Sequence, residues 1–192
     1  MKMSAVVLAA GEGARFSGPT PKLLAPFRGR PMVVWAVEAA LAAELDQTLV
    51  VTGAVDVAAA LAEAGLAERL TLVANPHWAS GQASSVIAAV RVADAAGHDA
   101  VVVGLGDQPL VPAEAWRLVA GAPPASPIVV ATYGGERRNP VRLARSVWPE
   151  LPTDGDAGAR VLMARRPELA SEIACPGEPA DVDTQEDLKR WS

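Results

Sequence analysis

The sequence predicts an α/β fold, a single three-layer α/β/α domain over residues 1–192 built on a mostly parallel sheet. Three observations carry that reading. Short apolar runs rich in β-branched residues alternate with Ala-rich stretches of helical period. The strand runs are apolar throughout, as strands covered by helices on both faces must be. The connections between them are long enough for the crossovers that parallel strands require.

Taken in order, Ser4-Ala-Val-Val-Leu-Ala-Ala is an apolar run that breaks into glycines at Gly11, which makes it the first strand. Arg30-Pro31 opens a stretch with apolar residues at Val33, Val34, Val37 and Leu41, the spacing of an amphipathic helix with proline in its first turn. Residues 47–52 form a β-branched strand, 55–64 an Ala-rich helix ended by Gly65, and 70–74 a further strand. Residues 84–96 read as a helix closed by Gly97, 100–104 as a fully apolar strand, 112–119 as a helix and 127–133 as a strand. Beyond Gly134 the alternation breaks. Residues 136–143 can pair as a strand, 145–151 form a short helix, 155–166 a longer one, and 171–174 a last strand. Thr184-Gln-Glu-Asp187 has the spacing of a capping box and opens a terminal helix through Trp191.

Composition limits the function. A chain of 192 residues can bury one sizeable core, and 51% hydrophobic with 20% charged residues is a globular balance. A net charge of −5 argues against a nucleic-acid partner, which calls for a basic face. The lone Cys175 excludes an internal disulfide, and with His77 and His98 it is too few for a zinc site of ordinary ligand count. No run of 18 apolar residues and no secretory leader pattern occurs, so the expected location is cytoplasmic, without membrane contact.

Chemistry begins at the first strand. Gly11 and Gly13 let phosphate oxygens approach the main chain, and Arg15 and Lys22 add a planar fork and a movable point charge, together a triphosphate cradle. The competing reading is a plain turn with solvated cations. A dinucleotide motif is excluded because Phe16 stands where its last glycine belongs, and a P-loop because Gly18 is followed by Pro19.

Leu8-Ala-Ala-Gly11, Arg15 and Pro21-Lys22-Leu23-Leu24 resemble the signature loop of the small nucleotidyltransferases, and among them the molybdenum cofactor cytidylyltransferases. Phe16-Ser17-Gly18-Pro19-Thr20 lengthens the loop relative to the usual pattern. The resemblance extends to Gly106-Asp107-Gln108-Pro109-Leu110, Asp181-Val182-Asp183-Thr184, Asn75-Pro-His-Trp78-Ala-Ser-Gly81-Gln82-Ala-Ser84-Ser85 and Asp154-Gly155-Asp156-Ala157-Gly158-Ala159-Arg160, and in part to Arg137-Arg138-Asn139-Pro140-Val141. It implies a Rossmann-like domain of the nucleotide-diphospho-sugar transferase type. It further implies catalysis by Arg15, Lys22 and Asp107, with nucleotide contacts from Leu8, Ala9, Ala10, Gly11, Gly13, Thr52, Asn75, Gly81 and Ser84 besides those three.

Asp107 lies just past a strand end, where an ionised acid needs a cation, and Mg²⁺ bridging it to phosphate meets that need. The alternative is a carboxylate starting a turn before Pro109. Asp183 is the second expected metal ligand, with Asp181 behind it; the alternative for Asp183 is a cap on the terminal helix. Mn²⁺ suits the same oxygens. Gly81 and Ser84 sit where a helix N-terminus attracts an anion, or where an ordinary N-cap is needed. Gln82, Ser85, Arg138 and Asn139 are the expected acceptor contacts, and His77 reads as a packing residue.

These parts suit attack by an acceptor phosphate on the α-phosphorus of a nucleoside triphosphate. No Ser-His-Asp constellation is required. In the family resembled, Leu-Ala-Ala-Gly accompanies cytidine and Leu-Ala-Gly-Gly guanosine, which favours CTP and a molybdopterin acceptor, with a client molybdoenzyme as a transient partner. A transferase for a sugar phosphate or other small phosphate, and a non-catalytic cofactor chaperone, are the competing expectations.

Overall fold

A computed structural model describes all residues from Met1 to Ser192. The elements in chain order are β1 (Met3–Ala9), β2 (Pro26–Phe27), β3 (Arg30–Pro31), α1 (Met32–Ala42), β4 (Gln47–Thr52), α2 (Ala58–Glu63), β5 (Thr71–Ala74), α3 (Gln82–Ala95), β6 (Ala100–Leu105), α4 (Ala113–Gly121), β7 (Ile128–Tyr133), β8 (Glu136–Ala144), α5 (Ala159–Arg165), β9 (Ala170–Ala174) and α6 (Gln185–Trp191). One seven-stranded sheet runs in the order β5-β4-β1-β6-β8-β7-β9. β1 pairs in parallel with β4 and β6, β4 with β5, and β7 with β9, while β8 is antiparallel to both its neighbours. The expected mostly parallel sheet is therefore present. The break in rhythm after Gly134 is the β7–β8 hairpin, which inserts its return strand between β6 and β7.

Strand alternation divides the core between the two faces. Ala5, Val7, Ala9, Val50, Val102 and Val129 pack with Val33, Val37 and Trp116 from α1 and α4. Val6, Leu8, Leu49, Val51, Val101 and Val103 pack with Val86, Val90, Trp148 and Leu162 on the other side. Val6 and Val7 are both fully buried. Each contributes about 1.5–3 kcal/mol of hydrophobic stabilisation to one layer.

Element starts differ from expectation where polar groups intervene. Arg30 and Pro31 pair with Phe27 and Pro26 as a small hairpin, so α1 begins only at Met32. The Asp56 carboxylate accepts a hydrogen bond from the N–H of Ala58 at 2.9 Å, which delays α2 to that residue. Gly158, at φ 46°, holds a left-handed turn, and α5 starts after it rather than at Gly155. The capping box on Thr184 and Asp187 is present with both reciprocal hydrogen bonds. No helix is long and apolar enough to cross a membrane.

Arg142, on β8, is 1% exposed and has no carboxylate partner. Its guanidinium instead donates to the carbonyls of Ala120 at 3.0 Å, Ala122 at 2.6 Å and Pro123 at 3.0 Å, at the carboxyl end of α4. A cation there satisfies orphan carbonyls and meets the negative end of the helix dipole. Replacing it with a neutral side chain of similar length strands those acceptors, so Arg142→Met is expected to lose about 2–4 kcal/mol of stability in urea unfolding.

Candidate active site

In open α/β sheets, ligands bind beyond the carboxyl ends of strands, at the point where strand order reverses. β1 holds that position. The chain runs outward from it to β4 and β5 and later returns on its other side as β6. The glycine loop and Asp107 therefore leave adjacent strand ends. The N–H of Gly106 donates to the carbonyl of Leu8 at 2.9 Å and holds the two exits together.

The loop after β1 closes on itself at Gly13. This residue has φ 69°, and a Cβ placed on it would lie 2.8 Å from the Lys22 Cβ, so both conformation and space require glycine. The inserted Phe16 is buried with Phe27, Met32 and Val182, and the Gln185 side chain donates to the Ser17 carbonyl at 2.9 Å. The longer loop is thus pinned against the segment that precedes α6. Leu23, buried in the core, anchors the far end and fixes where Lys22 starts.

Lys22 is the junction of the site. Its Nζ donates to Asp107 Oδ2 at 2.5 Å and to Asp183 Oδ1 at 2.9 Å, with only 10% of the side chain exposed. The Arg15 guanidinium, mostly in solvent, takes the other oxygen of Asp183 at 2.8 Å. Burial by itself lowers the Lys22 pKa, but the charges and hydrogen bonds of Asp107 and then Asp183 outweigh it and hold the ammonium above its ordinary value. Thr184, not Asp183, caps α6, which leaves the Asp183 carboxylate to face this junction.

Asp107 and Asp183 lie far apart in sequence, and their segments are sewn together. The N–H of Val182 donates to the Asp107 carbonyl at 3.0 Å. Gln108, 3% exposed, donates to the Pro179 carbonyl at 3.0 Å and to Asp181 Oδ1 at 2.8 Å. Burial pushes the Asp181 carboxyl up, Asp107 adds to the effect, and the Gln108 hydrogen bond opposes it. The amide of Gln108 was legible in the sequence only as a neighbour of Asp107; its tethering role becomes visible in the structure.

The remaining expected residues fall into two groups. Leu8, Ala9 and Ala10 are buried, Gly11 is open, and Thr52 ends β4 with its carbonyl accepting from the N–H of Asn75 at 2.8 Å. Asn75 donates to the hydroxyls of Ser84 at 2.9 Å and Ser85 at 3.0 Å, and Ser84 Oγ lies 2.8 Å from the Gly81 carbonyl. All three side chains are buried, so they stiffen the loop that presents Gly81 and Gln82. Gln82, Arg138 and Asn139 line a cavity of about 790 Å³, whose wall also includes Gln108, Asp181 and Arg160. Ser85 is not part of that lining. Arg137 pairs with Glu172 at 2.6 Å and Arg138 with Glu136 at 2.8 Å, so neither guanidinium is a lone charge. His77 gives its carbonyl to the Ser80 and Ser84 hydroxyls, a loop-packing role.

Two carboxylates converging on one point form a hard-oxygen pair of the kind Mg²⁺ or Mn²⁺ accepts, with water and phosphate completing the shell. The ammonium already drawn to that point shows that the pair demands a cation, and no third His, Cys, Asp or Glu joins it. A crevice of this kind, with two acids and two cations just beyond the strand ends, suits a nucleotidyltransferase.

Comparison with known proteins makes that class specific. The chain belongs to the MobA-like NTP transferase family, whose domain profile matches residues 5–170. It is 35% identical to the nicotine blue oxidoreductase of Paenarthrobacter nicotinovorans, over 98% of this chain and 95% of that one. It is 34% identical to the 2-C-methyl-D-erythritol 4-phosphate cytidylyltransferase of Cereibacter sphaeroides, over 71% of this chain and 63% of the relative. Among solved structures, Rv0371c of Mycobacterium tuberculosis superposes with a TM-score of 0.80 at 31% identity, covering 99% of this chain and 96% of the other. The same protein in complex with manganese superposes at 0.77 and 28% identity, covering 100% and 98%.

Two outcomes are expected of this geometry. Because the Lys22 value is raised, its stabilising charge is complete below pH 10.5 and is lost as pH rises through the folded value. The stability difference between the native protein and Lys22→Met, read by urea unfolding, should hold constant from neutral pH to 10.5 and shrink above it. Gln108→Leu should cost about 1–3 kcal/mol in the same assay, by releasing the tether and leaving buried acceptors unpaired.

Proposed function

We propose that this chain is a divalent-metal-dependent cytidylyltransferase that moves CMP from CTP to a phosphorylated acceptor, a molybdopterin, and releases pyrophosphate. The observation that carries it is the convergence of Asp107 and Asp183 on Lys22 beside the glycine loop. An oxygen of the acceptor phosphate bonds to the α-phosphorus, the bond from that phosphorus to the bridging oxygen breaks, and pyrophosphate carries the electron pair away. A phosphate monoester is nucleophilic at neutral pH, so the residues need only align and neutralise the reactants. Arg15, Lys22 and the loop amides face the triphosphate; Asp107 and Asp183 hold the metal. Bound there, Mg²⁺ or Mn²⁺ supplies Lewis-acid charge stabilisation.

Ala9-Ala10-Gly11 and the relative named as a cytidylyltransferase support cytidine as the base. The 790 Å³ cavity, apolar at Val103, Val130 and Leu143 and polar at Gln82 and Arg138, has room for a ring system with a phosphate. Transfer of the product to a molybdoenzyme client fits a small cofactor-charging enzyme. A sugar-phosphate acceptor is the nearest alternative, because the same alignment and charge neutralisation serve any small phosphate monoester.

A second reading, reduction of a heteroaromatic substrate, is favoured by the name of the oxidoreductase relative, which this chain matches nearly end to end. One panel separates the readings: pyrophosphate release from each of four nucleoside triphosphates, with Mg²⁺ and with pterin or sugar phosphates, beside an assay of reduced nicotinamide dinucleotide oxidation with a heteroaromatic dye as the electron acceptor. Release with CTP and a pterin phosphate is expected. Nicotinamide oxidation without release supports the redox reading, and nucleotide binding without either supports a chaperone. Asp107→Asn and Lys22→Ala should each lower the transferase rate by about 10²–10³, the usual cost of losing one stabilising group; near-native turnover in either variant would exclude these roles.

A further inference from the structure

Three of the four carboxylate oxygens that would hold a metal already meet a cation. Asp107 Oδ2 and Asp183 Oδ1 both lie within hydrogen-bond distance of the same lysine nitrogen, and Asp183 Oδ2 is taken by Arg15. The lysine is not a loose surface group that drifted there. Its side chain is 10% exposed, its stem runs against Gly13, and the residue after it is sunk in the core. A metal ion bridging both carboxylates needs its oxygens at about 2.0–2.1 Å. An ammonium at 2.5 and 2.9 Å from those atoms fills the same space. Two cations cannot share it.

We propose that Lys22 is an internal counter-ion that closes the carboxylate pair to free divalent metal, and that metal enters only together with nucleotide, whose phosphates draw the ammonium away. The inference rests on the metal role given above to Asp107 and Asp183. It adds an order of events: the free protein takes up Mg²⁺ or Mn²⁺ poorly, the metal–nucleotide complex is the species captured, and Lys22 moves from carboxylate to phosphate as that complex docks. Arg15 follows the same course from the solvent side. Its guanidinium leaves one carboxylate oxygen and gains a phosphate, whose paired oxygens its fork suits. Each carboxylate exchanges its basic side chains for the metal and each basic side chain exchanges a carboxylate for a phosphate, so every ionised group keeps an oppositely charged partner.

Direct metal binding tests this without turnover. Free Mn²⁺ is followed by electron paramagnetic resonance during titration of the native protein, of Lys22→Met and of Asp183→Asn, each with and without a CTP analogue whose α,β-bridging oxygen is a methylene. With the Mn²⁺ held by the analogue alone subtracted, the native protein's Mn²⁺ affinity should rise at least tenfold when the analogue is present. Without nucleotide, Lys22→Met should bind Mn²⁺ at least tenfold more tightly than the native protein. Equal Mn²⁺ affinity of native protein and Lys22→Met without nucleotide, or a native affinity indifferent to the analogue, overturns the counter-ion role and leaves the metal site standing. Absence of Mn²⁺ binding in every case, or binding unaffected by Asp183→Asn, overturns the metal site and the inference with it. Lys22→Gln, titrated without nucleotide in the same way, keeps the test decisive if Lys22→Met does not fold.

Discussion

Two carboxylates brought to one point repel each other, and the architecture around the crevice depends on meeting that repulsion. At a separation of 4 Å, in surroundings as polar as a protein surface, a pair of like charges costs about 4 kcal/mol. Lys22 offsets it in this structure, touching both acids from a position fixed by Gly13 on one side and Leu23 on the other. Much of what surrounds the site serves to keep those acids close. Gln108, the Val182 N–H and the burial of Phe16 against Val182 all tie the segment before α6 to the loops after β1 and β6.

The division of labour between the two sides of the crevice follows from the sheet. On the β1–β6 side the strands are parallel, and their ends deliver main-chain groups and acids. On the β8 side the strand runs the other way, and what it delivers is wall. Arg138 and Asn139 come from the return strand of the hairpin and Gln82 from the start of α3, while the buried Asn75, Ser84 and Ser85 keep that start rigid. Rigid support behind a loop is what allows reacting groups to be aligned to a fraction of an ångström.

Much of this was legible in the sequence because strand and helix periodicity, glycine breaks and a capping box are local signals. β4 was read to the residue, and the αβ alternation gave the mostly parallel sheet. What escaped the sequence was decided by partners far along the chain. The start of α1 shifted because Arg30 and Pro31 found Phe27 and Pro26; Gly158 set α5 later than helical period alone suggests. At the site, Lys22, Asp107 and Asp183 could be named from motif residues, but their mutual contact could not, since it arises only when the loops after β1 and β6 meet the segment before α6. Asn75, Ser84 and Ser85 showed the converse, hydroxyl and amide groups at a helix start that the structure spends on one another. The tether through Gln108 is of the same kind, a side-chain amide whose partners lie some seventy residues away.

The antiparallel placement of β8 has an evolutionary corollary. Because the β7–β8 hairpin is a self-contained excursion, its tip at Gly134 and Gly135 can lengthen, shorten or change composition without disturbing the strands that carry the glycine loop and the acids. A change confined to that tip reshapes one wall of the cavity that Gly134 and Arg138 line, and leaves the backbone beneath it as it was.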